Sequence, residues 1–202
     1  MQYGDLKTHF EALLNRSDIT AALTTTFIDQ GIKRITRQLR TPINEKKANY
    51  TISAQTPSVI LPNDFLEIIS LYMNQHELTR VTMNRYRELQ DNVTTGTPQV
   101  FTREQQRLLL YPQPTTGTLT LYYYSDFPAL VNNADENDLT TVASDLVTYA
   151  ALTYAADYYL DERGSIFEDK YNIFLSELQE QSNDQELNGG TQSIEPAYRF
   201  GE

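Results

Sequence analysis

Apolar positions recur at helical spacing over both ends of the chain and at alternate positions in the stretch between them. Residues 144–184 are the longest piece with an unbroken helical period and no proline. At 3.6 residues per turn Leu146, Tyr149, Ala150, Thr153, Tyr154 and Asp157 lie near one meridian, with Val147, Ala151, Ala155 and Tyr158 beside them. This arm is apolar around most of its circumference and is expected to be central. Gly164 is expected to supply its left-handed stop, after which Ile166, Phe167, Tyr171, Phe174, Leu175 and Leu178 form a second stripe. The pattern predicts an antiparallel helical hairpin whose second arm turns Glu168, Asp169, Lys170, Glu177, Glu180 and Asp184 to water.

Toward the amino terminus, Leu6, Phe10, Leu13 and Leu14 predict an amphipathic helix over residues 3–15, opposite Asp5, Lys7 and Glu11. Ser17 or Asp18 is expected to cap a second helix over 19–40, marked by Leu23, Phe27, Ile28, Ile32, Ile35 and Leu39 and ended by Pro42. Lys33, Arg34, Arg37 and Arg40 gather at its carboxy-terminal end, where cations complement the helix dipole. From Ala48 the period becomes two. Tyr50, Ile52 and Ala54, then Val59 to Leu61, predict a pair of strands. A capped turn at Pro62 to Leu66 leads into a strand over 67–73 and, through Asn74-Gln75, a hairpin partner over 76–81. A short helix is expected over 82–91 and a loop over 92–98. Strands over 99–102, 107–111 and 119–124 are expected to pair as an antiparallel meander. Residues 185–202 show no period. The order of elements predicts an α+β protein: a four-helix bundle (1–47 and 139–186) interrupted by an antiparallel β-rich insertion (48–138), with an extended C-terminal tail (187–202).

Charge is unevenly distributed along the 202 residues. The net value is −11, yet residues 1–130 hold 13 Lys/Arg against 12 Asp/Glu, and residues 131–202 hold 3 against 15. A surface this acidic repels nucleic acid at long range and is either solvated or docked on a basic partner. Cysteine is absent, which excludes disulfides, thiolate zinc sites and a cysteine nucleophile. The amino terminus lacks a basic flank followed by an apolar run, and no eighteen consecutive residues are apolar, so a soluble protein made in a cytoplasm, with no membrane contact, is expected.

Candidate chemistry is sparse. His9 and His76 stand outside any metal-ligand spacing, and Asp135-Glu136-Asn137-Asp138 lacks the glycine and distal glutamate of a calcium loop. No nucleophile elbow and no phosphate-cradling glycine loop occurs. Tyr122-Tyr123-Tyr124 and Tyr158-Tyr159 match a stacking platform for carbohydrate or single strands, but alternation in a strand sends neighbouring rings to opposite faces, one of them into the core. Lys33, Arg34, Arg37, Arg40, Lys46 and Lys47 lack the interleaved aromatics of a single-strand groove. The residues predict no catalytic, metal or cofactor site, and hence no enzyme.

Several phrases, in their order along the chain, resemble the head-to-tail adaptor proteins of tailed bacteriophages, in particular the connector ring beneath the portal of short-tailed phages. They are Asn15-Arg16-Ser17-Asp18-Ile19-Thr20 with Phe27-Ile28, then Ile32 through Pro42, Leu61-Pro62-Asn63-Asp64-Phe65-Leu66-Glu67, and Leu109-Leu110-Tyr111-Pro112-Gln113-Pro114. Tyr122-Tyr123, Phe127-Pro128-Ala129-Leu130, Tyr154 through Arg163, and Pro196-Ala197-Tyr198-Arg199 complete the series. The resemblance implies a virion protein of the neck or tail, assembled in the host cytoplasm. It implies a homo-oligomeric ring of about twelve copies, closed by head-to-tail contacts. The ring would join portal protein to tail or nozzle proteins, and genomic DNA would pass through it without specific binding. Ile194, Pro196, Tyr198, Arg199 and Phe200, with anchors at alternate positions beyond the Gly189-Gly190 hinge, are the expected portal-binding arm. Lys33, Arg34, Arg37 and Arg40 are the expected inter-subunit residues, facing the acidic second arm of a neighbour's hairpin. A tail-tube or nozzle component and a carbohydrate-binding module are the alternatives.

Overall fold

A computed structural model describes residues 1–53, 58–91 and 95–187, the side chains of 185–187 excepted. It is α+β, with six helices and two sheets among the described residues. The chain divides into two compact units, Met1–Pro42 with Ala129–Glu202, and Ile43–Pro128.

The first unit is helical. α1 (Tyr3–Leu14) buries Tyr3, Leu6, Phe10 and Leu14 and ends on Asn15 in the left-handed region at φ 52°. α2 (Ala21–Gln38) buries Phe27, Ile28, Gly31 and Ile35. Its cap is Thr20, whose hydroxyl accepts from the Leu23 N–H at 3.3 Å; Asp18, an expected cap, instead holds Arg16 in a two-point ion pair. α2 stops at Gln38, four residues short of Pro42, because Leu39 turns extended to bury its side chain. The connector at Asn132 to Asp138 leads into an additional short helix, α4 (Asp138–Val142), which the periodicity did not mark because it is barely more than one turn long. Asn137 and Thr140 close a reciprocal capping box at its start.

α5 (Ser144–Tyr159) contacts α1, α2, α4 and α6, which accounts for its burial around most of its circumference. Its left-handed stop is Leu160 at φ 53°, not Gly164, which is the first residue of α6 (Gly164–Leu187). The turn between the two helices is closed by Asp161 N–H to the Ala156 carbonyl at 2.9 Å. α6 buries Phe167, Tyr171, Leu178 and Ser182. Ile166, expected in that stripe, is 54% exposed, because it lies one residue off the 167–171–178 meridian. α6 includes Leu187, and the rest of the expected tail lies outside the described residues.

The second unit is β-rich. β1 (Glu45–Ile52), β8 (Gly117–Ser125), β3 (Phe65–Met73) and β4 (His76–Glu77) form one sheet in the order β1-β8-β3-β4. β2 (Ser58–Ile60), β7 (Arg107–Tyr111), β6 (Val100–Glu104) and β5 (Thr79–Arg80) form the other, in the order β2-β7-β6-β5. One apolar core takes side chains from both, among them Leu71, Leu119 and Leu121 from the first and Val59, Phe101, Leu108 and Leu110 from the second. α3 (Met83–Gln90), capped by Thr82, packs Tyr86 against β6 and β7.

Three pairings differ from those expected. β1 and β2 lie in different sheets. The 76–81 strand divides at Leu78: β4 continues the hairpin with β3, whereas β5 joins β6 in parallel, so the insertion is mixed rather than wholly antiparallel. The meander does not form, since β6 and β7 make a hairpin and β8 crosses to the first sheet between β1 and β3. Alternation reports which residues of a strand face a core, and it carries no information on which strand lies alongside. The faces themselves are as expected: Tyr123 is buried and donates to Asp64 Oδ1 at 3.0 Å, while Tyr122 faces outward.

Candidate functional site

The basic end of α2 meets α5 and α6 within the helical unit. Arg34 and Glu168 form a two-point ion pair; Nη1 donates to Glu168 Oε2 at 2.8 Å and to Thr153 Oγ1 at 3.1 Å. The guanidinium lies 4.0 Å from the centroid of Tyr171, whose hydroxyl donates to Gln38 Oε1. One side chain thereby ties three helices. The hydrogen bond from Arg34 outweighs burial and holds the Glu168 carboxyl below its ordinary value, and the same bond raises Arg34. Contact between the basic end of α2 and the acidic second arm is therefore made inside one chain at Arg34. Arg37 donates to Tyr154 Oη at 3.4 Å from an exposed position. Arg40 bonds the Thr36 and Leu39 carbonyls that the end of α2 leaves open. Lys33 is exposed. Of the four expected inter-subunit cations, Lys33 and Arg37 retain the outward position.

A second polar junction lies at the α5–α6 turn. Arg163 reaches the last carbonyls of α1, donating to Leu14 O at 2.8 Å and Leu13 O at 3.3 Å. The hydrogen bonds from Arg163 pull the Asp161 carboxyl down to about 2, and Nη2 to Oδ2 is 2.6 Å. This pair fixes the turn against α1, with Leu160 projecting beside it at 88% exposure. The position in the Tyr154 to Arg163 phrase was legible in sequence; its partner in α1 was not.

Both histidines are exposed, and no group of three or more His, Asp or Glu able to hold a metal occurs among the described residues. The Asp135 carboxylate accepts the Asn132 and Val131 N–H groups at 2.7 and 2.8 Å, which lowers it and leaves it as a turn-former. Of the tyrosines in the two expected platforms, Tyr122 meets Tyr72 edge to face at 87°, with Lys47 5.6 Å from its centroid, and Tyr158 meets Tyr159 edge to face at 89°. Ile194, Pro196, Tyr198, Arg199 and Phe200 lie outside the described residues. No helix among the described residues is long and apolar enough to cross a membrane.

Gly31 is a position the periodicity did not single out. A Cβ there would stand 2.8 Å from the Ala151 backbone nitrogen and 3.2 Å from the Ala150 Cβ, so the missing side chain sets the approach of α2 to α5. Its signal was available: glycine inside a helix costs about 1 kcal/mol against alanine, which calls for a packing reason. A family model described as SU10 adaptor protein matches residues 1–194. No curated protein matches the chain.

Proposed function

We propose, from the premise that this chain belongs to the SU10 adaptor protein family, a family of phage structural adaptors that join other proteins of the virion, that it forms the ring between portal and tail. The single observation carrying this reading is the extent of the family match, residues 1–194 of 202. In this reading α1, α2, α5 and α6 act as a four-helix bundle forming the ring wall, and the β-rich unit is an insertion in the sequence of that bundle. Assembly takes place in the host cytoplasm, and DNA passes through the lumen without specific contacts. The protein is a structural part, not an enzyme.

A ring of about twelve copies closes when each head-to-tail contact repeats the same rotation. Exposed Lys33 and Arg37 on one copy face exposed carboxylates of the next, with Arg34 already engaged by Glu168. Such pairs contribute only ~0–1 kcal/mol each, and their effect is to orient docking. The segment after α6 is the portal arm, its anchors Ile194, Pro196, Tyr198 and Phe200 spaced by two and Arg199 among them.

Native mass measurement and negative-stain images of the protein with its portal test the proposal. Ring stacked on ring is the expected result, and a strict two-fold dimer on the portal would be incompatible with it.

A further inference from the structure

A groove runs beside β5 in the β-rich unit. Two clefts of about 410 and 420 Å³ share Arg80 as a common wall. Ile69 lines the first, and Val81, Met83 and Arg103 line the second. Ile69 is 41% exposed because it is the extra residue of a bulge between the Ile68 and Ser70 pairings of β3 with β8. Arg80 and Arg103 are exposed on neighbouring strands, and neither forms an ion pair among the described residues. Arg103 is held in place, its Nε donating to Gln105 O at 2.8 Å and its guanidinium 4.9 Å from the Phe65 centroid. Glu77, in the first cleft, is the one carboxylate lining either cleft among the described residues. The groove's apolar walls at Ile69, Val81 and Met83 are interspersed with Ser70, Thr79, Thr82 and Thr102, and its rim is cationic.

The outer face of α6 has the complementary chemistry. Ile166 and Ile173 are 54% and 53% exposed, and seven residues of helix separate them by about 10 Å along the axis. Asp169 and Glu177 lie on the same side at offsets of three and four from those isoleucines, are exposed, and form no ion pair among the described residues. Lys170, between them, is drawn toward α5, with Nζ 3.0 Å from Tyr149 Oη. The face is thus two β-branched anchors flanked by free carboxylates, the arrangement that suits an amphipathic helix laid in a groove.

The geometry points to a second copy of this chain as the occupant: the outer face of α6 of one copy docks in the β5 groove of the next, Ile166 and Ile173 on its apolar walls and Asp169 and Glu177 on Arg80 and Arg103. Charge selects this occupant, since the acidic excess of the chain lies in residues 131–202 and the groove carries unpaired arginines. The contact joins two different surfaces and is therefore heterologous, as a closed ring requires. It rests on the ring reading.

Because the chain has no cysteine, an introduced one is unique. Ile173→Cys and Met83→Cys chains, prepared separately with different tags and mixed under assembling conditions, are expected to be joined by a short bismaleimide about tenfold faster than Ile173→Cys with Thr51→Cys as the control pair. Adding Arg80→Glu and Arg103→Glu to the Met83→Cys chain should remove that preference, and adding Asp169→Lys and Glu177→Lys to its partner should restore it. Assembled rings in which the two pairs cross-link at equal rates would overturn the docking contact and leave the ring reading standing. A chain that stays monomeric with and without portal would overturn both.

Discussion

Arg163 carries more of the helical unit than its place in a turn implies. Its guanidinium supplies donors to the Leu13 and Leu14 carbonyls, the groups that the carboxy-terminal end of α1 leaves without intrahelical partners, while Asp161 holds it from the other side. Lysine keeps the charge but lacks the planar fork, so Arg163→Lys is expected to lower stability by about 1–2 kcal/mol, measured as the shift of the urea midpoint. The same pair sets an acid dependence. The Asp161 carboxyl is depressed from 3.8 to about 2 in the folded state, so its contribution is complete above the unfolded value and is lost as pH falls through the folded one. Relative to Asp161→Asn, the wild-type protein should lose its stability advantage between about pH 4 and pH 2, read from thermal midpoints of both proteins across that window. An advantage that stays constant over the window would show that the ion pair does not hold the turn.

At the scale of elements, the approach of α2 to α5 is set by an absent side chain. Gly31 faces the Ala150–Ala151 segment, where small residues let the two backbones come close. Valine at position 31 adds branched volume 2.8 Å from a backbone atom that has no flexible end to move, so Gly31→Val is expected to destabilise by about 2 kcal/mol or more. Equilibrium urea unfolding measures it, and a variant as stable as wild type would mean that the helices separate without penalty. Arg34 adds a polar tie among α2, α5 and α6, and its pairing with Glu168 explains why α6 turns one acidic residue inward while Asp169 and Glu177 face out.

At the scale of the whole molecule, the ring proposal makes its own demands. Lys33→Glu with Arg37→Glu should weaken assembly at low salt and have little effect on melting, since both side chains are exposed. Deleting residues 188–202 should leave the melting temperature nearly unchanged and reduce portal binding, with Tyr198→Ala and Phe200→Ala together reproducing most of the loss. Ordering an extended arm costs several kcal/mol while one such ring returns only ~1.5–3, so two anchors must dock together. Full-affinity docking by the truncated protein would exclude the arm. Native mass measurement at two salt concentrations and a portal-binding titration read both experiments.

What the sequence determined by itself was local. Period 3.6 placed α1, α2, α5 and α6, and period 2 placed the strands and sent Tyr122 and Tyr123 to opposite faces, because a helix or strand buries whichever side its own residues make apolar. The order of its phrases along the chain was enough to identify the adaptor family. Tertiary structure decided the partners. β5 pairs in parallel with β6, and β8 lies between β1 and β3, because ladder hydrogen bonds are made by backbone atoms common to every residue and are therefore unwritten in side-chain pattern. The same holds for Arg34 and Glu168, 134 positions apart, and for Arg163 and Leu14: a charge is visible in a sequence, but the group that meets it depends on which helices pack together, and that depends on contacts as distant as Gly31 against Ala151.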